Sequence, residues 1–330
     1  MERFALAAAV VLGFALTAAL CSLFVPLRRV LERREQQQSV QSEQPRPAPL
    51  RAPLWGGLCA AAGTVAAVGV GWLAACVGQP ELLGSEGRLM TRLLTALAGS
   101  LAFGAVGLAE DLARMRSPAA LGLRRDVRLL LEALAAAFVL LLLRAAGCLP
   151  RGLGVPGAGY VLLGSAVPFL WAVLMVALAE CARIAERDEG TVCGAAFVAM
   201  LALMMVEAGL GVSGLAVLPA ALAGALVALG LWAFPPARLG AGCCGSLLAA
   251  GAIGCIPLSL DMTSLTVPLA LPFWAAGGLL AAQLLCAKRT GKPLRCWVKK
   301  HKMSPETVFL CSFALSAVGY VLALALLRWC

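Results

Sequence analysis

Ten long apolar stretches make up most of the chain and restrict the folds that it can adopt. Each is long enough, or nearly so, to cross a bilayer as a helix, which takes roughly 17–25 residues. Backbone N–H and C=O groups in lipid need partners within the segment, so helices are favoured. We therefore predict an all-α polytopic membrane protein with about ten transmembrane helices, at residues 4–27, 53–77, 93–109, 127–143, 160–179, 191–206, 212–234, 239–260, 265–287 and 307–327.

The composition agrees with this assignment. Hydrophobic residues make up 61% and charged residues 13% of the 330 residues, whereas soluble domains carry about 25% charged residues. One division depends on a break at residues 207–211. Without that break, residues 191–234 would form a single stretch about twice as long as one pass needs.

Lysine and arginine are distributed unevenly between the two sides of this arrangement. The five connections that follow odd-numbered segments, with their flanks, hold 21 of the 27 basic residues. Cytoplasmic loops of membrane proteins carry such an excess, so we predict that these loops are cytoplasmic and that both termini are external. The net charge of +10 suits an anionic bilayer surface and gives no reason to expect nucleic acid as a partner.

We predict one integral membrane domain over residues 1–330. Its five cytoplasmic loops lie at residues 28–52, 110–126, 180–190, 235–245 and 288–306. The external connections are shorter or less charged, and none shows a motif. The function is therefore expected on the cytoplasmic face.

An acidic pair, Glu110 and Asp111, lies where the third apolar segment ends. Carboxylate oxygens are ligands for Mg²⁺, and a nearby arginine such as Arg114 neutralises phosphate oxygens. The pattern suits chemistry between a membrane-bound phosphate and a soluble phosphorylated molecule. The alternative is a salt-bridged loop with Arg114 and Arg116, which contributes little energy.

Two further groups of charges carry both a functional and a structural interpretation. Arg128 lies about one turn inside the fourth segment, where a charge faces the bundle interior or extends to the interface. It either binds a phosphate or is a simple marker of the cytoplasmic side.

Glu186 and Glu189 share one face if their segment is helical. They either complete a metal or nucleotide site or form a solvated cluster with neighbouring arginines.

The last loop is strongly basic. Seven lysines and arginines lie between residues 288 and 302, among them Arg289 and Lys292. Such runs usually bind anionic headgroups without specificity. His301 is the only histidine of the chain, so any acid–base role of an imidazole falls on it; otherwise it is simply solvated.

Six short motifs follow one another on these loops, at residues 52–57, 107–114, 122–130, 186–190, 236–247 and 289–292. The second reads Gly-Leu-Ala-Glu-Asp and is similar to Gly-x-x-Asp-Asp in the phospho-N-acetylmuramoyl-pentapeptide transferases. The other five also resemble motifs of that family, in the same order along almost the whole chain. The resemblance implies a divergent member of glycosyltransferase family 4, the polyprenyl-phosphate phosphosugar transferases.

The resemblance implies a reaction and assigns residues to it. A phosphosugar would pass from a UDP-sugar, UDP-N-acetylmuramoyl-pentapeptide, to undecaprenyl phosphate in peptidoglycan precursor synthesis, with Mg²⁺ as cofactor and UMP as the second product. The implied catalytic residues are Asp111, Glu110 and His301, the first two also as metal ligands. The implied substrate-binding residues are Arg114, Arg128, Glu186, Glu189, Arg289 and Lys292. The implied location is the bacterial inner membrane, with the site on the cytoplasmic face.

The chain departs from the family pattern at polar site positions. Cys243 stands at the family's catalytic, metal-binding aspartate, and its glycine-rich flanks predict that it faces the cytoplasm. Glu110 stands at the first aspartate of the acidic pair. Glu180 and Arg183 replace two asparagines, and of a three-histidine tract only His301 remains. A neutral thiol cannot replace a carboxylate oxygen on Mg²⁺.

Three function classes therefore stand open. The first is the family transferase, and the second is a catalytically impaired member that binds polyprenyl phosphate or partners in envelope synthesis. The third is an unrelated transporter, which the sequence disfavours because Glu207 is the one buried charge we assign to the apolar segments. The oligomeric state is open, with a homodimer as one alternative.

Overall fold

The fold is described here from a computed structural model. It covers residues 2–41, 55–78, 87–116, 122–150, 152–155, 159–162, 164, 166–186, 190–212, 214–234, 237–290 and 305–329. Within these residues the helices are α1 (Glu2–Gln41), α2 (Gly56–Gly78), α3 (Gly87–Arg116), α4 (Arg125–Ala145), α5 (Ala166–Ala185), α6 (Thr191–Gly209), α7 (Val217–Ala233), α8 (Gly242–Ser259), α9 (Thr266–Leu269), α10 (Leu271–Thr290) and α11 (Pro305–Trp329). Two short strands, β1 (Gly152–Val155) and β2 (Gly159–Leu162), form an antiparallel hairpin.

The predicted fold class, an all-α polytopic membrane protein, is confirmed. In the described part of the chain, seven helices are long and apolar enough to cross a membrane: α1, α2, α3, α5, α6, α8 and α11. The bent pair α9–α10 is an eighth if it forms one span, and α7 is a shorter apolar helix. The total of ten spans and the external position of both termini stay predictions.

Several predicted boundaries differ from the observed ones. The β2 strand takes up the beginning of the predicted segment 160–179, so that α5 begins at Ala166. The predicted segment 265–287 is bent by 64° between α9 and α10. Pro272 contributes to this bend because it has no N–H to donate to the carbonyl of Pro268, four residues earlier. The predicted break at 207–211 is confirmed, since α6 ends at Gly209.

The polar loops are shorter than predicted because several helices continue into them. The first helix extends to Gln41, and α3 extends through Glu110 and Asp111 to Arg116. The acidic pair is therefore helical rather than part of a loop. This matters for the site because a helix fixes the direction of both carboxylates relative to the bundle.

Helix α8 forms the centre of the bundle. Every one of its residues is buried, and it packs against α2, α3, α5 and α6. Its sequence consists largely of Gly, Ala, Cys and Ser together with aliphatic residues, and small side chains let neighbouring backbones approach closely. A Cβ atom on Gly57 would collide with the backbone nitrogen of Gly245, and one on Gly107 with the carbonyl oxygen of Cys243. The first turn of α8 is thus held between α2 and α3.

The helix ends beside the predicted cytoplasmic loops meet at one end of the bundle. Phe24 of α1 stacks on Trp55, just before α2, with ring centroids 5.7 Å apart. Phe234, after α7, contacts Phe309 at the start of α11, with centroids 5.3 Å apart. The contacts of Asp111 with Cys243 and of Arg128 with Glu180 bring the ends of α3 and α5 and the start of α4 to the same end. The helix ends that flank these loops are therefore close together, while the loops and the compartment they face stay predictions.

Candidate functional site

Asp111 connects α3 to the first turn of α8. Its Oδ1 atom accepts a hydrogen bond from the backbone N–H of Cys243 at 3.1 Å, and Oδ2 accepts one from the N–H of Cys244 at 2.9 Å. The first N–H groups of a helix lack partners within the helix, and a carboxylate there also interacts favourably with the helix dipole. Asp111 is 1% exposed. Its carboxylate therefore anchors the central helix of the bundle.

A chain of ion pairs joins α3, α4 and α5. Arg114 Nη2 donates to Glu110 Oε1 at 2.6 Å, and Arg128 Nη1 lies 3.6 Å from the same oxygen. Arg128 Nε donates to Glu180 Oε1 at 2.7 Å, while Arg183 Nη2 donates to Glu180 Oε2 at 2.6 Å. We call the three cations Arg114, Arg128 and Arg183 the arginine cluster. The alternative interpretation of Glu110 as a salt-bridged residue is thus borne out for its contact with Arg114.

The exposure of these side chains decreases from the rim of the site inwards. The side chains of Arg114, Glu180 and Arg183 are 25%, 23% and 15% exposed, whereas those of Arg128 and Glu110 are 8% and 3% exposed. Arg128 is the inner member of the arginine cluster. An anion entering from the rim therefore meets Glu180 and Arg183 before it reaches Arg128.

Glu132 is a buried acid that the sequence analysis missed. It lies one turn after Arg128 in α4, is 0% exposed, and places Oε1 at 3.9 Å from Arg128 Nε. Neither of its carboxylate oxygens has a hydrogen-bond partner among the described residues. The signal was available, because an acid four residues after Arg128 lies inside an otherwise apolar segment. With Glu132, three glutamates lie within ion-pair distance of the arginine cluster.

Cys243 lies beside the acidic pair, as the motif order predicted. Its backbone contact with Asp111 places it there, but Cys243 itself is 0% exposed. The side of the membrane that position 243 faces stays a prediction, but the residue is not exposed at a surface. The reason is the close packing of the first turn of α8, which buries Cys243 against Gly107 of α3.

Glu186 lies immediately after α5, and its predicted shared face with Glu189 falls outside the described residues. The helix ends at Ala185, and the N–H of Glu186 donates to the carbonyl oxygen of Ala182 at 3.0 Å. Its charge acts on both Arg114 and Cys243, so it belongs to the same site.

The structure brings together six of the predicted site positions, namely Glu110, Asp111, Arg114, Arg128, Glu186 and Cys243. Outside the described residues lie Glu189, Lys292, His301 and the side chain of Arg289, whose backbone is in the last turn of α10. The assignments of these four residues stay predictions.

The described residues do not fit the predicted Mg²⁺ site. Mg²⁺ requires near-octahedral oxygen coordination. Both oxygens of Asp111 accept backbone N–H groups, and Glu110 Oε1 binds Arg114. Cys243 supplies a thiol, and the described residues contain no group of three or more His, Cys, Asp or Glu side chains arranged for a metal ion. The one buried acidic oxygen of this group that has no partner, Glu110 Oε2, cannot by itself supply the oxygen ligands of such a site. Mg²⁺ binding stays a prediction.

Comparison with known proteins decides the family. A family model described as glycosyl transferase family 4 matches residues 93–261, just over half of the chain. The chain belongs to glycosyl transferase family 4. It is thereby a member of a family of membrane phosphosugar transferases, and every residue of the ion-pair network lies inside the matched range. The family 4 match ends before the predicted motif at 289–292 and begins after the one at 52–57. No curated protein matches the chain.

Proposed function

We propose that this family 4 protein binds polyprenyl phosphate at the arginine cluster and that its own phosphosugar transfer is impaired. The observation that carries the proposal is the hydrogen bonding of Asp111, the acid that the family resemblance assigns to metal binding. Both of its oxygens hold amide groups of α8. The position where a second carboxylate would stand is the buried Cys243.

The arginine cluster supports binding of a phosphate. A guanidinium group offers donors in a planar fork that suits phosphate oxygens, and its charge persists when it is buried. Arg128 presents such a group at 8% exposure, on the inner side of α4. The outer side of α4 exposes Leu130, Leu134 and Leu141, at 60%, 56% and 65%. One helix therefore combines an apolar face suited to lipid with a cation suited to the lipid's phosphate.

The finer features of this proposal come from the family resemblance. The lipid would be undecaprenyl phosphate, the membrane the bacterial inner membrane, and the face of the site cytoplasmic. Bound lipid phosphate would serve either as a reserve for another enzyme or as a contact for partners in envelope synthesis.

A second candidate function is the family reaction itself. It is favoured by the meeting of Glu110, Asp111, Arg114, Arg128 and Glu186 at one site. A phosphate oxygen of undecaprenyl phosphate would attack the β-phosphorus of UDP-N-acetylmuramoyl-pentapeptide. The bond from that phosphorus to the bridging oxygen would break, and UMP would leave with the bridging oxygen. The arginine cluster would hold phosphate oxygens throughout.

One preparation tests both candidates. The full chain in nanodiscs would be titrated with undecaprenyl phosphate, and UMP release would be followed after addition of UDP-N-acetylmuramoyl-pentapeptide and Mg²⁺. We expect saturable lipid binding that is lost in Arg128→Gln and retained in Asp126→Asn, which changes an exposed acid on the same helix.

The UMP measurement separates the two functions. We expect no UMP release above that of the Asp111→Asn variant. Release that depends on Asp111 would establish the transferase and overturn the proposed impairment. Absence of lipid binding in the wild type, with a folded protein, would overturn the binding function.

A further inference from the structure

Glu180 occupies a position between two members of the arginine cluster. One of its carboxylate oxygens accepts from Arg128 on α4 at 2.7 Å, and the other accepts from Arg183 on α5 at 2.6 Å. A phosphate held between two guanidinium groups would use its oxygens in the same way, one for each cation. The carboxylate of Glu180 therefore stands where a phosphate would be bound most strongly.

The accessibility of the three side chains gives an order of events. Glu180 is 23% exposed, Arg183 is 15% exposed, and Arg128 is 8% exposed. An incoming anion reaches Glu180 before it reaches Arg128. It can accept from Arg128 Nε only when the carboxylate has moved.

Glu180 also provides the local negative charge for two of the guanidinium groups. Its carboxylate accepts hydrogen bonds from both Arg128 and Arg183. Withdrawal of Glu180 leaves these donors without that anion, in surroundings where charges are weakly screened. A phosphate monoester supplies a negative charge at the same place.

We infer that Glu180 is an internal anion that fills the phosphate position between Arg128 and Arg183, and that it sets the affinity of the site for phosphate monoesters. The inference rests on the proposed binding function and adds the residue that limits it. Displacement of Glu180 breaks two charge-assisted hydrogen bonds, which a bound phosphate replaces. No covalent step is involved.

The test uses the full chain in nanodiscs and the variant Glu180→Gln, which keeps the size of the side chain and removes its charge. Undecaprenyl phosphate is the lipid probe, and inorganic phosphate is the soluble probe in a separate titration. We expect Glu180→Gln to bind undecaprenyl phosphate about tenfold more tightly than the wild type, the change that one modest electrostatic interaction produces. The matched control is Asp126→Asn, which removes one exposed negative charge nearby on α4 and is expected to leave affinity unchanged.

Two further variants keep the test decisive. If Glu180→Gln does not fold, Glu180→Asp keeps the charge but is too short to reach both arginines, and it should bind the probe more tightly than the wild type. In the double variant Glu180→Gln/Arg128→Gln the gain should disappear, because the released arginine is absent. Tighter binding of inorganic phosphate would support the inference as well, because it would show recognition of the phosphate group without the lipid.

Weaker or unchanged binding by a folded Glu180→Gln variant would overturn the inference, since a merely structural glutamate would weaken the site when removed. The proposed function would still stand if the wild type binds the lipid. Failure of the wild type and of Glu180→Gln to bind either probe would overturn the proposed function, and the inference with it.

Discussion

Buried acids occur at both ends of the bundle, and their surroundings differ. At the site, the buried Glu110 accepts a hydrogen bond from one arginine and the partly exposed Glu180 accepts from two, all at 2.6–2.7 Å. Glu207 lies near the opposite end, in the last turn of α6, and is 1% exposed. Neither of its carboxylate oxygens has a hydrogen-bond partner within the described ranges. The two ends thus contrast a connected network of charges with an isolated acid.

The difference concerns how a membrane protein holds polar groups in its interior. A buried ion pair is costly to desolvate, and removing one partner leaves the other charge uncompensated. An acid without a partner has no such dependence on a neighbour. The site should therefore be sensitive to single charge changes, while the Glu207 region should not. Four substitutions, in order of decreasing expected effect, test this contrast.

The largest effect is expected for Arg128→Leu. This change leaves Glu110, Glu132 and Glu180 without their common cation, so we expect a loss of roughly 3–5 kcal/mol in the free energy of unfolding. Denaturant titration in mixed micelles would measure it. Arg144→Leu is the matched control, because Arg144 is an exposed arginine at the other end of the same helix. Equal losses in the two variants would mean that the network does not stabilise the fold.

The next effect is expected for Asp111→Asn. The asparagine amide offers one neutral acceptor oxygen in place of two charged ones, so one N–H at the start of α8 loses its acceptor and the other keeps a weaker one. We expect a loss of roughly 1.5–3 kcal/mol in the free energy of unfolding. Hydrogen exchange should also become faster at Cys243 and Cys244 and remain unchanged in the middle of α8. Unchanged exchange at both residues would show that the Asp111 contact is not important for anchoring the helix.

A smaller effect, and one that depends on metal, is expected for Cys243→Asp. A second carboxylate beside Asp111 introduces repulsion between two buried like charges, and we expect a loss of roughly 1–3 kcal/mol without divalent ions. Mg²⁺ should restore stability in this variant, because it would bridge the two carboxylates. The control is Cys243→Ser, which Mg²⁺ should not stabilise. Equal Mg²⁺ affinity in wild type and Cys243→Asp would show that position 243 does not contribute to a metal site.

The smallest effect is expected for Glu207→Gln. The substitution keeps the shape of the side chain and breaks no ion pair of the described residues, so the loss in the free energy of unfolding should be less than about 0.5 kcal/mol, the low end of what one hydrogen bond contributes. The same change at the site, Glu110→Gln, should cost about 1 kcal/mol because Arg114 and Arg128 lose charge partners. A larger loss at Glu207 than at Glu110 would reverse the contrast between the two ends.

The sequence predicted those features of the fold that depend on local composition. Nine of the ten apolar segments each contain one helix of the described residues, and the segment 265–287 contains the bent pair α9–α10. The break after Gly209 was found because residues 191–234 exceed the length of one pass. The β1–β2 hairpin was missed, since residues 160–162 are as apolar as the helix that follows. The bend before Leu271 was missed because a long apolar segment was assumed to be continuous, although Pro272 signals an interruption.

The site was predictable in its members but not in their contacts. Motif order brought Glu110, Asp111, Arg128 and Cys243 into one group. The bond from Arg128 to Glu180 joins residues 52 positions apart, and the bond from Cys243 to Asp111 joins residues 132 apart. No local pattern contains such a pairing. The sequence therefore indicated a metal-binding role for Asp111, whereas its oxygens face amide groups.

The glycines around the first turn of α8 have a consequence for genetic experiments. At Gly57 and Gly107 an added methyl group would meet backbone atoms, which cannot move aside as a flexible side chain can, whereas at Gly69 and Gly278 it would meet nothing within 4 Å. A saturation mutagenesis library selected for folded protein should therefore exclude even alanine at the first two positions and tolerate it at the other two. The sequencing counts of surviving alanine variants would then identify the close contact of α2, α3 and α8.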